Sequence, residues 1–284
     1  MRPTNSIQLS VSIAKQSDRP LIARLSRRAA GRSDYVLRIL PSAIDRGGLF
    51  LAWDDSELVG MTNYDKCIDG SGWLSMARTD PTWRRRGVAI FLQQKIAAYA
   101  RQRGVGTLRL VVSSENKPSI KACKKGGFRR VFDAANITCR LSAKRTRQRV
   151  SRSSVSQKHL QLLMNSPSLT KSRGYVGYRR HFVKLTKPIL MRLRSVGELF
   201  VTGDSILLIT RPERTFRKPQ SSLTILSGPI AKSLTVAKEI AQGMGASILR
   251  SYIPYSQYEI SVAKRVGFRR SRWGKHFFVF EKKI

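Results

Sequence analysis

The stretch Thr79-Asp80-Pro81-Thr82-Trp83-Arg84-Arg85-Arg86-Gly87-Val88-Ala89 constrains the fold of this chain more than any other. The apolar run Trp73-Leu74-Ser75-Met76-Ala77 leads into it, and a helical pattern over residues 90–100 leaves it. It reads as strand, basic glycine turn, helix, and that arrangement makes an anion site. The first amides of a helix have no partner within it and point out of its N-terminus, where the helix dipole adds partial positive charge. Gly87 and Ala89 are small enough for a ligand to approach the backbone. Three arginines add fork-shaped donors suited to phosphate oxygens. Taken alone, the same residues also describe a strand-to-helix turn with a solvated basic corner.

The surroundings of the turn decide between these readings. Arg84-x-x-Gly87-x-Ala89 resembles the Arg/Gln-x-x-Gly-x-Gly/Ala signature of the GNAT superfamily of N-acetyltransferases, and Pro81 and Trp83 stand where that family has Pro and an aromatic. Asn116-Lys117-Pro118-Ser119-Ile120 is similar to the family's Asn-x-x-Ala/Ser-Ile, and Gly127-Phe128 to its terminal Gly-Phe. Order and spacing agree over roughly residues 6–140. The resemblance implies acetyl-CoA as co-substrate, with its pyrophosphate on the arginine loop and no metal. The implied cofactor-binding residues are Ala77, Arg78, Thr79, Arg84, Arg85, Arg86, Gly87, Val88, Ala89 and Asn116. The implied fold is a mixed-sheet α/β (α+β) domain. In it two neighbouring parallel strands, here those ending near Thr79 and Val112, splay apart to receive the pantetheine arm.

The rest of the chain supplies elements in a compatible order. Residues 7–13 alternate apolar and polar, as a half-buried strand does. Ser17-Asp18-Arg19-Pro20 opens a helix, with a capping side chain and Pro in the first turn. Ser33-Asp34 opens a second helical stretch, expected to break near Pro41. Residues 49–53 and 58–64 flank the turn Asp54-Asp55-Ser56-Glu57 as a hairpin. After the arginine loop, Val88, Leu92, Ile96 and Tyr99 or Ala100 line one helix face, and Gly104 ends the helix. A buried-type strand at 107–112 and a short helix at 119–125 follow, with two further strands expected, one starting at 128–132 and one at 137–141.

The sequence then repeats itself. Residues 120–130 recur at 260–270 with six of eleven identities, and Gly104-Val105-Gly106 recurs as Gly243-Met244-Gly245. Strand-like runs at 198–201, 205–209 and 223–226 and a helix at 231–242 fill the interval. A shared offset across several elements points to a duplicated domain. The expected organisation is a GNAT-type domain at 1–142, a basic linker at 143–154 and a degenerate GNAT-like copy at 155–284. On the offset of 139, Arg84 to Ala89 fall on Leu223 to Gly228, where no arginine survives, and Asn116 falls on Ser256 at offset 140.

Composition sets the remaining bounds. Lys and Arg number 54 against 17 acids, a net charge of +37. Residues 141–195 hold 14 basic residues and no acid. A field of that sign attracts polyanions, so RNA, DNA or a ribosome is a candidate partner. Cys67, Cys123 and Cys139 are an odd number without paired spacing, as expected in a reducing compartment. His159, His181 and His276 are not at metal-ligand spacing. No run approaches the ~20 apolar residues that span a membrane, and residues 1–6 lack an apolar signal core. A soluble, cytoplasmic protein is the expectation.

Acetyl transfer to an amine requires the reactants held together, a donor for the thioester oxygen, and a path for the amine proton. Backbone near residues 76–79 and the arginine loop serve the first two. For the third, the family's frequent Glu position is Ser75 here, and its frequent Tyr position is Cys123. Cys123 is either a proton donor or a small packed residue. Glu57, Asp65, Asp69, Glu115 and Tyr64 are other titratable groups near the expected cleft. Two functions fit: an acetyl-CoA-dependent N-acetyltransferase acting on a primary amine, or a non-catalytic binder of nucleic acid that keeps the fold.

Overall fold

The computed structural model describes residues 8–142, 159, 163, 166–213, 218–270 and 276–284. The expected basic linker at 143–154 lies outside the described residues. The chain forms two compact units that interleave along the sequence. Unit 1 holds Met1–Leu110, Pro118–Arg129 and Glu281–Ile284, and unit 2 holds Val111–Lys117 and Arg130–Phe280.

In unit 1, β1 (Leu9–Ile13), β2 (Leu49–Asp54), β3 (Glu57–Lys66) and β4 (Gly72–Thr79) pair antiparallel in sequence order. β5 (Thr107–Ser113) joins β4 in parallel. The end of β14 (Phe277–Lys283) lies beyond β5, and the Ile284 amide donates to the Gly106 carbonyl at 3.0 Å. Helices α1 (Arg19–Ala30), α2 (Val36–Asp45), α3 (Val88–Arg101) and α4 (Lys117–Lys125) complete the unit. The apolar stripe read from the sequence of α3 is the one that packs: Val88, Leu92, Ile96 and Ala100 are buried. Fully burying a side chain of the Val, Leu or Ile type contributes roughly 1.5–3 kcal/mol, so this stripe fixes the helix, and with it the turn that precedes it.

Two local expectations are corrected. The second helix does not break at Pro41, which sits inside α2. Proline forfeits one backbone bond there, while Val36, Ile39, Leu40, Ala43 and Ile44 on either side are all buried and hold the helix in place. Residues 128–141 do not form two strands. They form one strand of 12 residues, β6 (Arg129–Arg140). Nothing in Asp133-Ala134-Ala135-Asn136 demands a turn, and residues 134–140 find a continuous antiparallel partner.

That partner lies in unit 2. There β14, β6, β12 (Ile248–Pro254), β11 (Gln220–Ser227), β10 (Ser205–Ile209) and β9 (Leu199–Thr202) are neighbours in that order. β13 (Arg269–Arg270) also pairs with β6, and β7 (Tyr175–Tyr178) with β8 (His181–Lys184) forms a separate hairpin. Helices α5 (Pro167–Lys171), α6 (Lys187–Ser195), α7 (Ile230–Gly243) and α8 (Gln257–Arg265) complete unit 2. β11 and β12 are parallel, as β4 and β5 are. A buried cluster including Ile137, Leu207, Leu223, Leu234, Leu249 and Phe268 forms the core.

The residue correspondence between the units shifts along the chain. Gly104 (φ 72°) matches Gly245 (φ 85°), not Gly243, because both follow their helix in a left-handed backbone. The next amides, of Val105 and Ala246, then bond back to Ala100 and Ala241. The turn from β4 to α3 spans residues 80–87, whereas the turn from β11 to α7 is residues 228–229 alone. Leu223 to Ser227, the expected counterparts of Arg84 to Val88, lie within β11. Unit 2 therefore lacks the loop itself, not merely its arginines.

Candidate active site

The turn of unit 1 is anchored at both ends. Asp80 is almost wholly buried and accepts from the Thr82 amide (3.0 Å), the Thr82 hydroxyl (2.7 Å) and Arg28 Nη2 (3.0 Å). Trp83 is buried, and the guanidinium of Arg86 lies 5.0 Å from its ring centroid. Arg84 donates to the Ala29 carbonyl at 3.1 Å. Arg85, with φ 69°, and Arg86 are exposed. Gly87 caps α3 with φ 85° and ψ −3°, a left-handed conformation natural to glycine. A Cβ built there would meet nothing within 4 Å. The first helical bond is from the Phe91 amide to the Gly87 carbonyl, at 2.9 Å. The amides of Val88, Ala89 and Ile90 therefore precede the helical ladder, as free donors at the positive end of the dipole.

Next to this anion site runs an open strand edge. β4 and β5 pair only at Gly72–Leu108 and Trp73–Arg109. From Leu74 onward β4 has no ladder partner on that side among the described residues. Met76 has φ 57°, and the β3–β4 register shifts between Met61 and Asn63. This bulge re-aims the backbone of β4 where bulges commonly serve sites. Ala77 is exposed, and Thr79 is half-buried. The side chain of Arg78 turns elsewhere: it forms a bidentate pair with Asp34 at 2.9 and 2.7 Å and donates to the Ala77 carbonyl at 2.8 Å. Burial would raise the Asp34 carboxyl, but the bonds from Arg78 and Ser26 outweigh it and hold the group below its ordinary value. Arg78 thus leaves its backbone to the β4 edge, while its charge ties the segment leading into α2 to β4.

The structure brings Ala77, Arg78, Thr79 and Arg84 to Ala89 together in unit 1. Asn116, exposed, belongs to the 111–117 segment of unit 2. Cys123 is 3% exposed, and burial pushes its thiol up to about 12. It keeps its proton throughout the physiological range and packs as a small apolar residue.

Among the other candidates, Asp69 is engaged by Arg109 at 2.5 Å, and Arg109 also reaches Glu281 at 2.7 Å. Glu57 is exposed at the hairpin turn, and Glu115 is exposed in the 111–117 segment. Tyr64 is buried against Tyr99, and burial raises its pKa. Asp65 accepts from Asn63 Nδ2 at 2.7 Å, and that same nitrogen lies 3.5 Å from the Ser75 hydroxyl. Asn63 is fully buried, with its Oδ1 unpartnered. Sequence reasoning missed Asn63, because a polar residue inside an apolar strand declares a role only when its cross-strand partner, here Ser75, is known.

A mixed sheet with a parallel central pair that separates beside a basic helix N-terminus defines an acetyltransferase fold of the GNAT type. Residues 22–128 match the family model described as the Acetyltransferase (GNAT) family. Solved structures with this fold span the whole chain. One, to which this chain is similar, is a putative acetyltransferase from Thermoplasma acidophilum, with a TM-score of 0.61, 15% identity and coverage of 97% of this chain and 100% of that one. Another is a putative acetyltransferase from Pyrococcus horikoshii, with a TM-score of 0.56, 14% identity and coverage of 100% and 92%. A GCN5-related N-acetyltransferase from Sphaerobacter thermophilus gives 0.57, 12% identity and coverage of 97% and 95%. A comparison with curated proteins finds no match.

The described residues contain no group of His, Cys, Asp and Glu able to hold a metal ion. None of their helices is long and apolar enough to cross a membrane.

Proposed function

We propose that unit 1 is an acetyl-CoA-dependent N-acetyltransferase that transfers an acetyl group to a primary amine. The supporting observation is that three free amides and exposed arginines at the start of α3 follow in the chain directly on the open edge of β4. A pyrophosphate fits this donor set: the amides of residues 88–90 bind its oxygens and Arg85 and Arg86 neutralise it, a charge-assisted arrangement. Acetyl-CoA, when bound, supplies the activated acetyl group. The β4 backbone from Met76 to Thr79 holds the pantetheine arm and offers an amide to the thioester oxygen. The amine proton leaves by water through the Ser75 hydroxyl to Asp65, which Asn63 keeps in place.

In this reading unit 2 is a degenerate tandem copy without a cofactor site, and the protein works in the cytoplasm. The test is a thiol-release assay with acetyl-CoA and a panel of primary amines. Amine-dependent release by the parent chain that disappears in Gly87→Glu supports the proposal. No release with any amine, or equal release by the variant, counts against it.

A second reading has one observation in its favour. α1, α2 and their connection present Arg19, Arg24, Arg27, Arg28, Arg32 and Arg38, all exposed. That is more cation than one coenzyme requires, and it suits the phosphate backbone of RNA, DNA or a ribosome.

A further inference from the structure

We propose that unit 2 holds a binding site for a small organic amine, a protonated ammonium on a single ring or short branched chain. The proposal is independent of the acetyl-CoA reading of unit 1. β11 and β12 pair only as far as Leu223 and Ser251, and beyond that point they enclose a cavity of about 200 Å³. Its walls include Phe182, Ile225, Tyr252 and Tyr258, with Lys171 and Glu259 as the charged members. Apolar cavities of about 150 Å³ accept benzene, so this one accommodates a ring with one substituent.

The cavity does not suit a coenzyme. No arginine is among the described residues that line it. On β11 the Leu226 carbonyl is already engaged by the Ser166 hydroxyl, and the Thr224 hydroxyl ties the strand to the Gly177 carbonyl at 2.7 Å. The N-cap of α7 is Pro229, which has no amide proton.

Its chemistry suits an ammonium. Glu259 lies in the first turn of α8. Its Oε1 accepts from Lys171 Nζ at 3.1 Å, while its Oε2 is buried with no hydrogen-bond partner. A buried carboxylate oxygen without a donor is unfavourable, and an ammonium supplies the missing charge-assisted bond. Aromatic faces such as Tyr252 and Phe182 favour a cation further. Lys171 keeps its place on Oε1, with its side chain 59% exposed and so largely solvated.

The experiment uses the full chain in calorimetry and thermal melting, with benzylamine and cyclohexylamine as probes against benzyl alcohol and cyclohexanol. The amines should bind one per chain and at least about tenfold more tightly than the alcohols, the scale of one hydrogen bond to a buried charge. Glu259→Gln should bring the amines down to the alcohols. Its α8 cap survives, because that bond uses the Glu259 backbone amide. Ser168→Phe, which adds bulk at the cavity wall, should weaken the amines independently of charge. Equal affinity for amine and alcohol, no amine binding at millimolar concentration, or full amine binding by a folded Glu259→Gln chain would overturn the proposal.

Discussion

A side chain at position 87 would leave a left-handed backbone and enter open space beside the free amides of α3. Gly87→Glu therefore costs the fold little, roughly 1–2 kcal/mol for the left-handed conformation, yet it puts bulk and negative charge where the pyrophosphate would lie. The expected result is loss of acetyl-CoA affinity by about 100-fold or more, the scale of several charge-assisted bonds. Calorimetry checks it, with circular dichroism to verify the fold. Asp34 gives a second residue-scale prediction. Its pKa is lowered, so its pair with Arg78 stabilises the fold above the ordinary carboxylate range and loses that effect as pH falls through the lowered value. Asp34→Asn leaves the Arg78 charge with no carboxylate and should cost about 3 kcal/mol near neutrality. Urea melts should show the gap to the parent narrowing in acid. A gap independent of pH would contradict the ion-pair account.

At the scale of elements, local patterns were readable and pairings were not. The arginine loop, the α3 stripe and the β2–β3 hairpin follow from spacing and turn residues within a few positions. The continuity of β6 does not, because β12, its partner along residues 134–140, lies more than a hundred residues away. The helix through Pro41 was hidden for a related reason: burial of its apolar face outweighs a local breaker signal. The repeat near residues 120–130 and 260–270 was visible because short helix-to-strand endings carry identities. The shortened β11–α7 turn was not, because one fixed offset cannot reveal a deletion. Within the site, the charged loop announced itself, whereas the Asn63–Ser75 contact depends on register. The last strand yields a prediction of its own. Arg109 is 5% exposed and shared between Asp69 and Glu281. Glu281→Ala should destabilise unit 1 by about 2–3 kcal/mol, read from urea melts. An unchanged midpoint would mean that the chain's end contributes nothing there.

For the whole molecule, interleaving matters more than the order of the halves. Residues 281–284 belong to unit 1, and residues 130–142 to unit 2. A chain cut after residue 142 strips unit 1 of its last segment and leaves β6 without β12. Residues 1–142 alone should melt lower or aggregate, as size-exclusion chromatography and thermal scans would reveal; a monomer as stable as the full chain would contradict this. The charge of +37 acts at the same scale. Binding to an arbitrary RNA duplex should be insensitive to sequence and fall steeply with salt, and retention at several hundred millimolar salt would argue against a purely electrostatic contact. The most direct test of the central claim is the stoichiometry of acetyl-CoA binding by calorimetry, on the parent, on Gly87→Glu, and on Lys232→Glu as a larger charge change of the same sign at the exposed start of α7 in unit 2. One site per chain, lost in Gly87→Glu and kept in Lys232→Glu, is the predicted result. Two sites per chain, or one site that survives Gly87→Glu, would contradict it.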